Sequence, residues 1–281
     1  MNDNYNEDFL ALQDGGSLFY RTYGDPCATP VLCMHGLTRN SKDFRELAEH
    51  LSDKFFVITV DQRGRGRSSY IEDHQKYTPL TYINDMHELI NSFNFKQCYL
   101  IGTSMGGFMA MAMSAMNSVL FSKIVLNDCG PEIHQVGIDN ISTYLGKNES
   151  FESIDEAVSI LKARHGSNFP LLTDLDWKRY CLNNLKINED HSYNFDYDQN
   201  IRVVYETAKL NLGDMWNIWE EIDSSIFVIR GALSQLLSEY TFKQMQSKDR
   251  VKSLEIPDTG HAPLLTSKVE LDSIKAFLLS H

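Results

Sequence analysis

The sequence has little positive charge for its size. Its 281 residues include 26 Lys and Arg against 38 Asp and Glu, which gives a formal net charge of -12. An excess of negative charge repels both nucleic acid and anionic membrane surfaces. We therefore expect neither nucleic acid nor a membrane as a partner of this protein.

Long hydrophobic runs are also absent from the sequence. No apolar stretch reaches the roughly 20 residues that a membrane-spanning helix needs. The first residues, MNDNYNEDFL, have no basic segment followed by an apolar one, which a secretory signal would contain. The sequence thus predicts a soluble, cytoplasmic protein.

Cysteine and metal-ligand patterns are equally sparse. The five cysteines are odd in number and contain no C-x-x-C pair, which argues against a disulfide framework and a structural zinc site. The nine histidines form no H-E-x-x-H or comparable metal-binding pair. We expect no metal from these patterns.

Short apolar runs alternating with amphipathic segments are what the sequence does contain. The runs VLCM, FFVITV, CYLIG, KIVLN and IFVI are typical of strands buried on both faces. Helical patterns lie between most of them, so we predict an α/β fold with a mostly parallel, doubly wound sheet. A hairpin around Asp14 and Gly15 is predicted to precede it.

The alternation stops between residue 132 and the run that starts at 226. Helical spacing of Phe151, Ile154, Val158 and Leu161 predicts a mainly helical insertion there. We assign residues 1–132 and 223–281 to one core domain and residues 133–222 to the insertion. Ligands of such sheets bind beyond the carboxyl ends of the strands, so reactive residues are expected directly after the apolar runs.

Ser104 follows one of these runs, in the sequence GTSMG, and a helical segment comes next. Small residues two positions before and after a serine let the chain turn sharply and hold the hydroxyl outward. The helix N-terminus then directs backbone N–H groups at a developing negative charge. We predict a nucleophile at Ser104; the alternative is a glycine-rich turn that only lets strand and helix pack closely.

His261 is the histidine best placed to work with this serine. It follows Gly260 at the end of a short predicted strand, near the end of the sequence. Histidine can accept and return a proton near neutral pH, which nucleophilic catalysis by serine requires. We predict that His261 is the general base.

Together, these motifs resemble the α/β-hydrolase fold superfamily, in particular its serine carboxylesterase-like members with a helical cap. The segments VLCMHGLTRN and VDQRGRGRSS carry the resemblance further, so that it covers essentially the whole chain. It implies about eight strands and a cap at residues 133–222 over the active site. It also implies an oxyanion hole formed by the N–H groups of Leu37 and Met105, a structural role for His35, and a tight turn at the pocket rim formed by D-x-R-G-x-G-x-S.

The acid that should orient His261 is not at its usual place. Proteins resembling this chain usually have an aspartate after Gly-Ala-Leu-Ser, where this sequence has Gln235. An amide cannot supply the negative charge. We hypothesise that Asp128, after the run KIVLN, replaces it; the alternatives are that Asp128 only anchors loop backbone, that Asp258 or Glu239 substitutes, or that activity is impaired.

The sequence therefore predicts a serine hydrolase that cleaves small carboxylic esters through an acyl-enzyme and needs no metal or organic cofactor. A serine at the sharp turn around position 104 argues against the dehalogenase and epoxide hydrolase branches, which resemble this fold but use an aspartate as the nucleophile. Three alternatives remain open. They are a carbon–carbon bond hydrolase of ring-cleavage diketones, a lactonase, and a non-catalytic protein that binds a small ligand.

Overall fold

The computed structural model describes residues 5–208 and 214–280. The chain begins with an antiparallel hairpin of β1 (Tyr5–Ala11) and β2 (Ser17–Tyr23). Gly15 in the connecting turn has φ 89°, in the left-handed region that glycine adopts without steric cost. The predicted hairpin around Asp14 and Gly15 is confirmed.

Strands and helices then alternate, as the apolar runs predict. Thr78 caps the longest of these helices by accepting a hydrogen bond from the N–H of Thr81, and Pro79 occupies its first position. The elements in chain order are β3 (Thr29–Met34), α1 (Arg45–Leu51), β4 (Phe55–Asp61), α2 (Pro79–Ser92), β5 (Tyr99–Thr103), α3 (Met105–Met116) and β6 (Lys123–Asn127).

The segment predicted to be an insertion, residues 133–222, follows β6 and contains both helices and short strands. Its residues 209–213 lie outside the described part of the chain. The elements are α4 (Gln135–Tyr144), β7 (Ser150–Phe151), α5 (Ile154–His165), α6 (Asp174–Asn184), β8 (Leu185–Ile187), β9 (Tyr193–Phe195), α7 (Ile201–Ala208) and α8 (Trp216–Glu220). The hydrophobic pattern did not predict the strands, which pair as a small antiparallel sheet in the order β7-β9-β8.

The chain returns to the core with β10 (Ser225–Gly231), α9 (Glu239–Met245), β11 (Val251–Ile256) and α10 (Lys268–Leu279). Eight strands form one sheet in the order β1-β2-β4-β3-β5-β6-β10-β11. Neighbours from β4 to β11 in this order are parallel, and the pairs β1–β2 and β2–β4 are antiparallel. This is the predicted fold class.

Both faces of the sheet are covered by helices. Met86 of α2 and Met109 of α3 are buried against one face, while Leu47 of α1 and Ile274 of α10 are buried against the other. Because the central strands are parallel, the segments that follow β3, β5, β6, β10 and β11 meet at one edge of the sheet. In the described part of the chain, no helix is long and apolar enough to cross a membrane.

Candidate active site

Three side chains from distant parts of the sequence form one hydrogen-bonded chain. Nε2 of His261 lies 2.9 Å from Oγ of Ser104, and Nδ1 of His261 lies 2.7 Å from Oδ2 of Asp128. Ser104 follows β5, Asp128 follows β6 and His261 comes after β11, so the parallel strands bring them together. The arrangement lets the imidazole exchange a proton with the hydroxyl while the carboxylate fixes its orientation.

Ser104 adopts a backbone conformation that few residues tolerate. Its φ is 52° and its ψ is -116°, between the end of β5 and the start of α3. Close packing enforces this turn, because a Cβ at Gly106 would lie 2.0 Å from the carbonyl oxygen of Met34, and one at Gly102 would lie 2.3 Å from that of Gly106. The glycines of the motif are therefore required for strand, elbow and helix to pack together.

Asp128 is fully buried and its carboxylate is held by two donors besides His261. The N–H of Gly231 donates to Oδ1 at 3.0 Å, and the hydroxyl of Ser234 donates to Oδ2 at 2.6 Å. Ser234 is oriented in turn, since its Oγ accepts hydrogen bonds from the N–H groups of Leu236 and Leu237. Asp128 thus both anchors loop backbone and contacts the imidazole.

The other acids considered from the sequence do not reach this site. Glu239 begins α9 and pairs with Lys243, while Asp258 is exposed on the loop before His261. The side chain of Gln235 accepts a hydrogen bond from Asn140 of the insertion. The sequence analysis did not identify Ser234. Its position next to Gln235, in the loop that usually carries the acid, could have indicated that it lies near His261.

The two residues predicted to form the oxyanion hole flank Ser104. Met105 is the first residue of α3, so its N–H has no carbonyl partner within the helix. Leu37 lines the same cavity as Ser104. The buried Arg65 contacts both, through a hydrogen bond from Nε to the carbonyl oxygen of Leu37 at 2.8 Å and a contact from Nη2 to Sδ of Met105 at 3.8 Å. Sequence reasoning did not single out Arg65.

A cavity of about 460 Å³ opens onto Ser104 and His261. Its walls come from both the core and the insertion. Core residues include Leu37, Arg39 and Leu264, and insertion residues include Asn140, Tyr144 and Tyr180. The hydroxyl of Ser104 and the imidazole of His261 therefore face a cavity that can hold a small molecule.

A family model described as the alpha/beta hydrolase fold matches residues 29–268 of the chain. This match spans every element from β3 to the start of α10, including the elbow, Asp128 and His261. The chain belongs to the alpha/beta hydrolase fold family.

Relatives and solved structures agree with this assignment. The chain is 31% identical to a 3-hydroxybutyrate-oligomer hydrolase of Cupriavidus necator, over 90% of this chain and 89% of that protein. It is 26% identical to a 2-(acetamidomethylene)succinate hydrolase of Mesorhizobium japonicum, over 88% of each. The crystal structure of an alpha/beta hydrolase from Novosphingobium aromaticivorans has a TM-score of 0.94 and 32% identity, and the match covers 99% of each chain.

In this alpha/beta hydrolase, His35 has the structural role that was predicted. It is fully buried, its Nδ1 lies 2.7 Å from the carbonyl oxygen of Gly36, and its Nε2 accepts a hydrogen bond from the N–H of Gln62. Burial, with a contribution from Arg65, lowers the pKa of His35 from 6.5 to about 3. His35 therefore stays neutral and fixes the loop that carries Leu37.

Residues 61–68 form a tight turn, with φ 80° at Gly64 and φ 54° at Gly66, but none of them lines the described cavity directly. The turn instead binds the insertion. The N–H of Asp198 donates to the carbonyl oxygen of Gly64 at 2.7 Å, and the N–H of Gly66 donates to that of Asp196 at 3.1 Å. Tyr197, between these two aspartates, is the residue that lines the cavity.

Proposed function

We propose that this chain is a serine hydrolase of small carboxylic esters. Ser104 attacks the ester carbonyl, His261 takes the hydroxyl proton and passes it to the leaving alcohol, and Asp128 stabilises the imidazolium. The N–H groups of Leu37 and Met105 hold the oxyanion. Water then attacks the acyl-enzyme while His261 takes its proton and passes it to the oxygen of Ser104, which releases the acid and restores the serine.

The observation that carries this proposal is the continuous contact from Ser104 through His261 to Asp128, with distances of 2.9 Å and 2.7 Å. Both lie within hydrogen-bonding range, and the carboxylate contacts the ring nitrogen opposite the one that faces the hydroxyl. Asp128 supplies the negative charge that Gln235 cannot. These contacts favour a catalyst over a protein that only binds a ligand.

One of the two named relatives supports an ester as substrate. Units of a hydroxy acid are joined in an oligomer by ester bonds, so the relative named as a 3-hydroxybutyrate-oligomer hydrolase points to ester cleavage. We further propose that the insertion acts as a cap that selects the substrate, because its residues Asn140, Tyr144 and Tyr180 form one wall of the cavity.

Hydrolysis of p-nitrophenyl acetate and butyrate by the purified protein tests the proposal. We expect turnover in the wild-type protein, and a loss of at least about 10³-fold in the Ser104→Ala variant. A fluorophosphonate probe should label the wild-type protein rapidly on Ser104. The Ser104→Ala variant should remain unlabelled.

Two further substrates distinguish the alternative reactions. A vinylogous diketone acid reports carbon–carbon bond cleavage, and a γ-lactone reports ring opening. Faster turnover of either compound than of the p-nitrophenyl esters would replace the proposed activity. Absence of turnover, with labelling as slow as that of free serine, would mean that the chain only binds a ligand.

A further inference from the structure

Three side chains on the cavity wall each carry a hydrogen-bond donor group that has no partner in the described chain. Arg39, Tyr144 and Tyr180 line the same cavity as Ser104, and we call them the donor cluster. Among the described residues, the hydroxyls of Tyr144 and Tyr180 have no hydrogen-bond partner, and neither has Nη1 of Arg39, whose Nε and Nη2 bind Asp43. Unpaired donors in a cavity favour a ligand that brings acceptor oxygens.

The donor cluster lies beside the proposed nucleophile. A Cβ placed at Gly36 would lie 3.5 Å from Cγ of Arg39 and 3.7 Å from Cβ of Ser104. Arg39 and Ser104 therefore lie on either side of the space next to Gly36. The guanidinium carbon of Arg39 lies 4.1 Å from the ring centroid of Tyr180. A substrate held at Ser104 would therefore extend towards Arg39 and Tyr180.

Tyr144 completes the cluster as a permanent donor. Burial is the main cause that raises the pKa of Tyr144, and the neighbouring Tyr180 and Tyr197 raise it further. Its hydroxyl therefore keeps its proton at any pH at which the protein would work. Edge-on packing against the His165 ring, with centroids 6.4 Å apart, fixes the orientation of the Tyr144 ring.

The charges of the cavity argue against a carboxylate as the ligand of these donors. Each arginine that lines the cavity already has an acidic partner, so a further carboxylate would add an unpaired negative charge. The three ion pairs are Arg39 with Asp43 at 2.6 Å, Arg164 with Glu149 at 2.9 Å, and Arg179 with Glu46 at 3.1 Å. A neutral acceptor, such as a carbonyl oxygen, satisfies the donors without this penalty.

We infer that the substrate is an uncharged ester with a second carbonyl group in its acyl part, which the donor cluster binds while Ser104 attacks the first. The inference rests on the proposed function and adds the substrate class to it. A site built around hydrogen-bond donors discriminates against an analogue without the acceptor, because the donors then remain unpaired. The donor cluster is in this sense a specificity subsite.

Three p-nitrophenyl esters with the same number of atoms along the acyl chain test the inference. The 3-acetoxybutanoate has the second carbonyl, the 3-methylhexanoate replaces it with methylene groups, and the hemiadipate ends in a carboxylate. We expect kcat/KM of the wild-type protein to be about tenfold higher for the 3-acetoxybutanoate than for the 3-methylhexanoate. The hemiadipate should be the poorest substrate.

The variants Tyr144→Phe and Tyr144→Phe/Tyr180→Phe remove only hydroxyl groups. Their ratio of kcat/KM between the 3-acetoxybutanoate and the 3-methylhexanoate should fall, to below about threefold in the double variant. Tyr240→Phe is the matched control, since Tyr240 is 69% exposed on α9 and away from the cavity. It should retain the wild-type ratio.

A wild-type ratio near one, or a ratio unchanged in the double variant, would overturn the inference while leaving the proposed function intact. Preference for the hemiadipate would show that the cluster binds a carboxylate, which also overturns it. If none of the three esters is hydrolysed in a Ser104-dependent way, the proposed function itself fails, and the inference fails with it.

Discussion

Oδ2 of Asp128 lies 2.7 Å from Nδ1 of His261, although the two residues are 133 positions apart in the sequence. The same oxygen accepts the hydroxyl of Ser234, and the other carboxylate oxygen accepts the N–H of Gly231. The loop after β10, where the acid is usually found in the proteins this chain resembles, here supplies donors to an acid on the neighbouring strand.

Replacing Asp128 with Asn should reduce kcat for p-nitrophenyl butyrate by about 10³- to 10⁴-fold. The amide keeps the volume but removes the negative charge and can fix the wrong tautomer of His261. Asp258→Asn and Glu239→Gln are matched controls, because both side chains are away from His261, and each should remain within about twofold of wild type. Full activity in Asp128→Asn would end the assignment of this residue as the acid.

Ser234→Ala should lower kcat by about three- to tenfold, because the buried carboxylate of Asp128 loses its 2.6 Å donor. Ser234→Thr keeps the hydroxyl and should recover most of the rate. Steady-state kinetics on one ester, with thermal unfolding of each variant, separate the effect from a loss of folded protein. Equal rates in the alanine and threonine variants would show that the hydroxyl has no role in positioning Asp128.

The sequence predicted Ser104 and His261 because local patterns define them. An apolar run, small residues around a serine and a following helix lie within a few positions, and Gly260-His261 directly follows a short strand. Asp128 remained one of several candidates, because its role depends on which strands are neighbours in space. The sheet order places β6 between β5 and β10, which no local pattern specifies.

Other features were beyond local patterns for physical reasons. Strands β7 to β9 have only two or three residues, too few for an alternation of apolar and polar positions. Arg63, Arg65 and Arg67 alternate with glycines and look equivalent in the sequence. In the structure, Arg63 pairs with Asp85, Arg67 is half exposed, and Arg65 is fully buried between Leu37 and Met105.

Arg65→Gln should lower kcat by about 10- to 100-fold with a smaller change in KM, and Arg65→Lys should retain more activity. No carboxylate of the described residues pairs with this buried guanidinium, which instead donates to Leu37, Arg63 and Tyr82. Its positive charge thus has no acidic partner among these residues, and it contacts both residues that are proposed to form the oxyanion hole. Arg67→Gln, which removes an exposed arginine of the same turn, is the control.

The readout that separates charge from mere packing is the affinity for a trifluoromethyl ketone, which forms an oxyanion on Ser104. Its inhibition constant should weaken in parallel with kcat/KM across the three arginine variants. Identical kinetics in Arg65→Gln and Arg65→Lys would contradict a role for the charge. Wild-type kcat in Arg65→Gln would also remove any positioning role.

His35 should make the folded protein less stable as the pH falls. Its folded pKa is about 3, whereas the unfolded chain has the ordinary value of 6.5, so between these values the unfolded state binds a proton that the folded state does not. The contribution of neutral His35 to the free energy of unfolding is complete above pH 6.5 and is lost progressively as the pH falls towards 3. Between pH 6.5 and pH 5 the loss is about 2 kcal/mol.

Urea unfolding of the wild-type protein and of His35→Gln at these two pH values measures this contribution. The variant should be less stable at pH 6.5, because the hydrogen bonds to Gly36 and Gln62 are perturbed, but its stability should fall by about 2 kcal/mol less on acidification. Burial also lowers the pKa of His87 and His165, whose contributions are the same in both proteins and cancel in the difference. An equal decrease in the two proteins would mean that His35 takes up a proton in the folded state, and the loop that carries Leu37 would then not depend on a neutral imidazole.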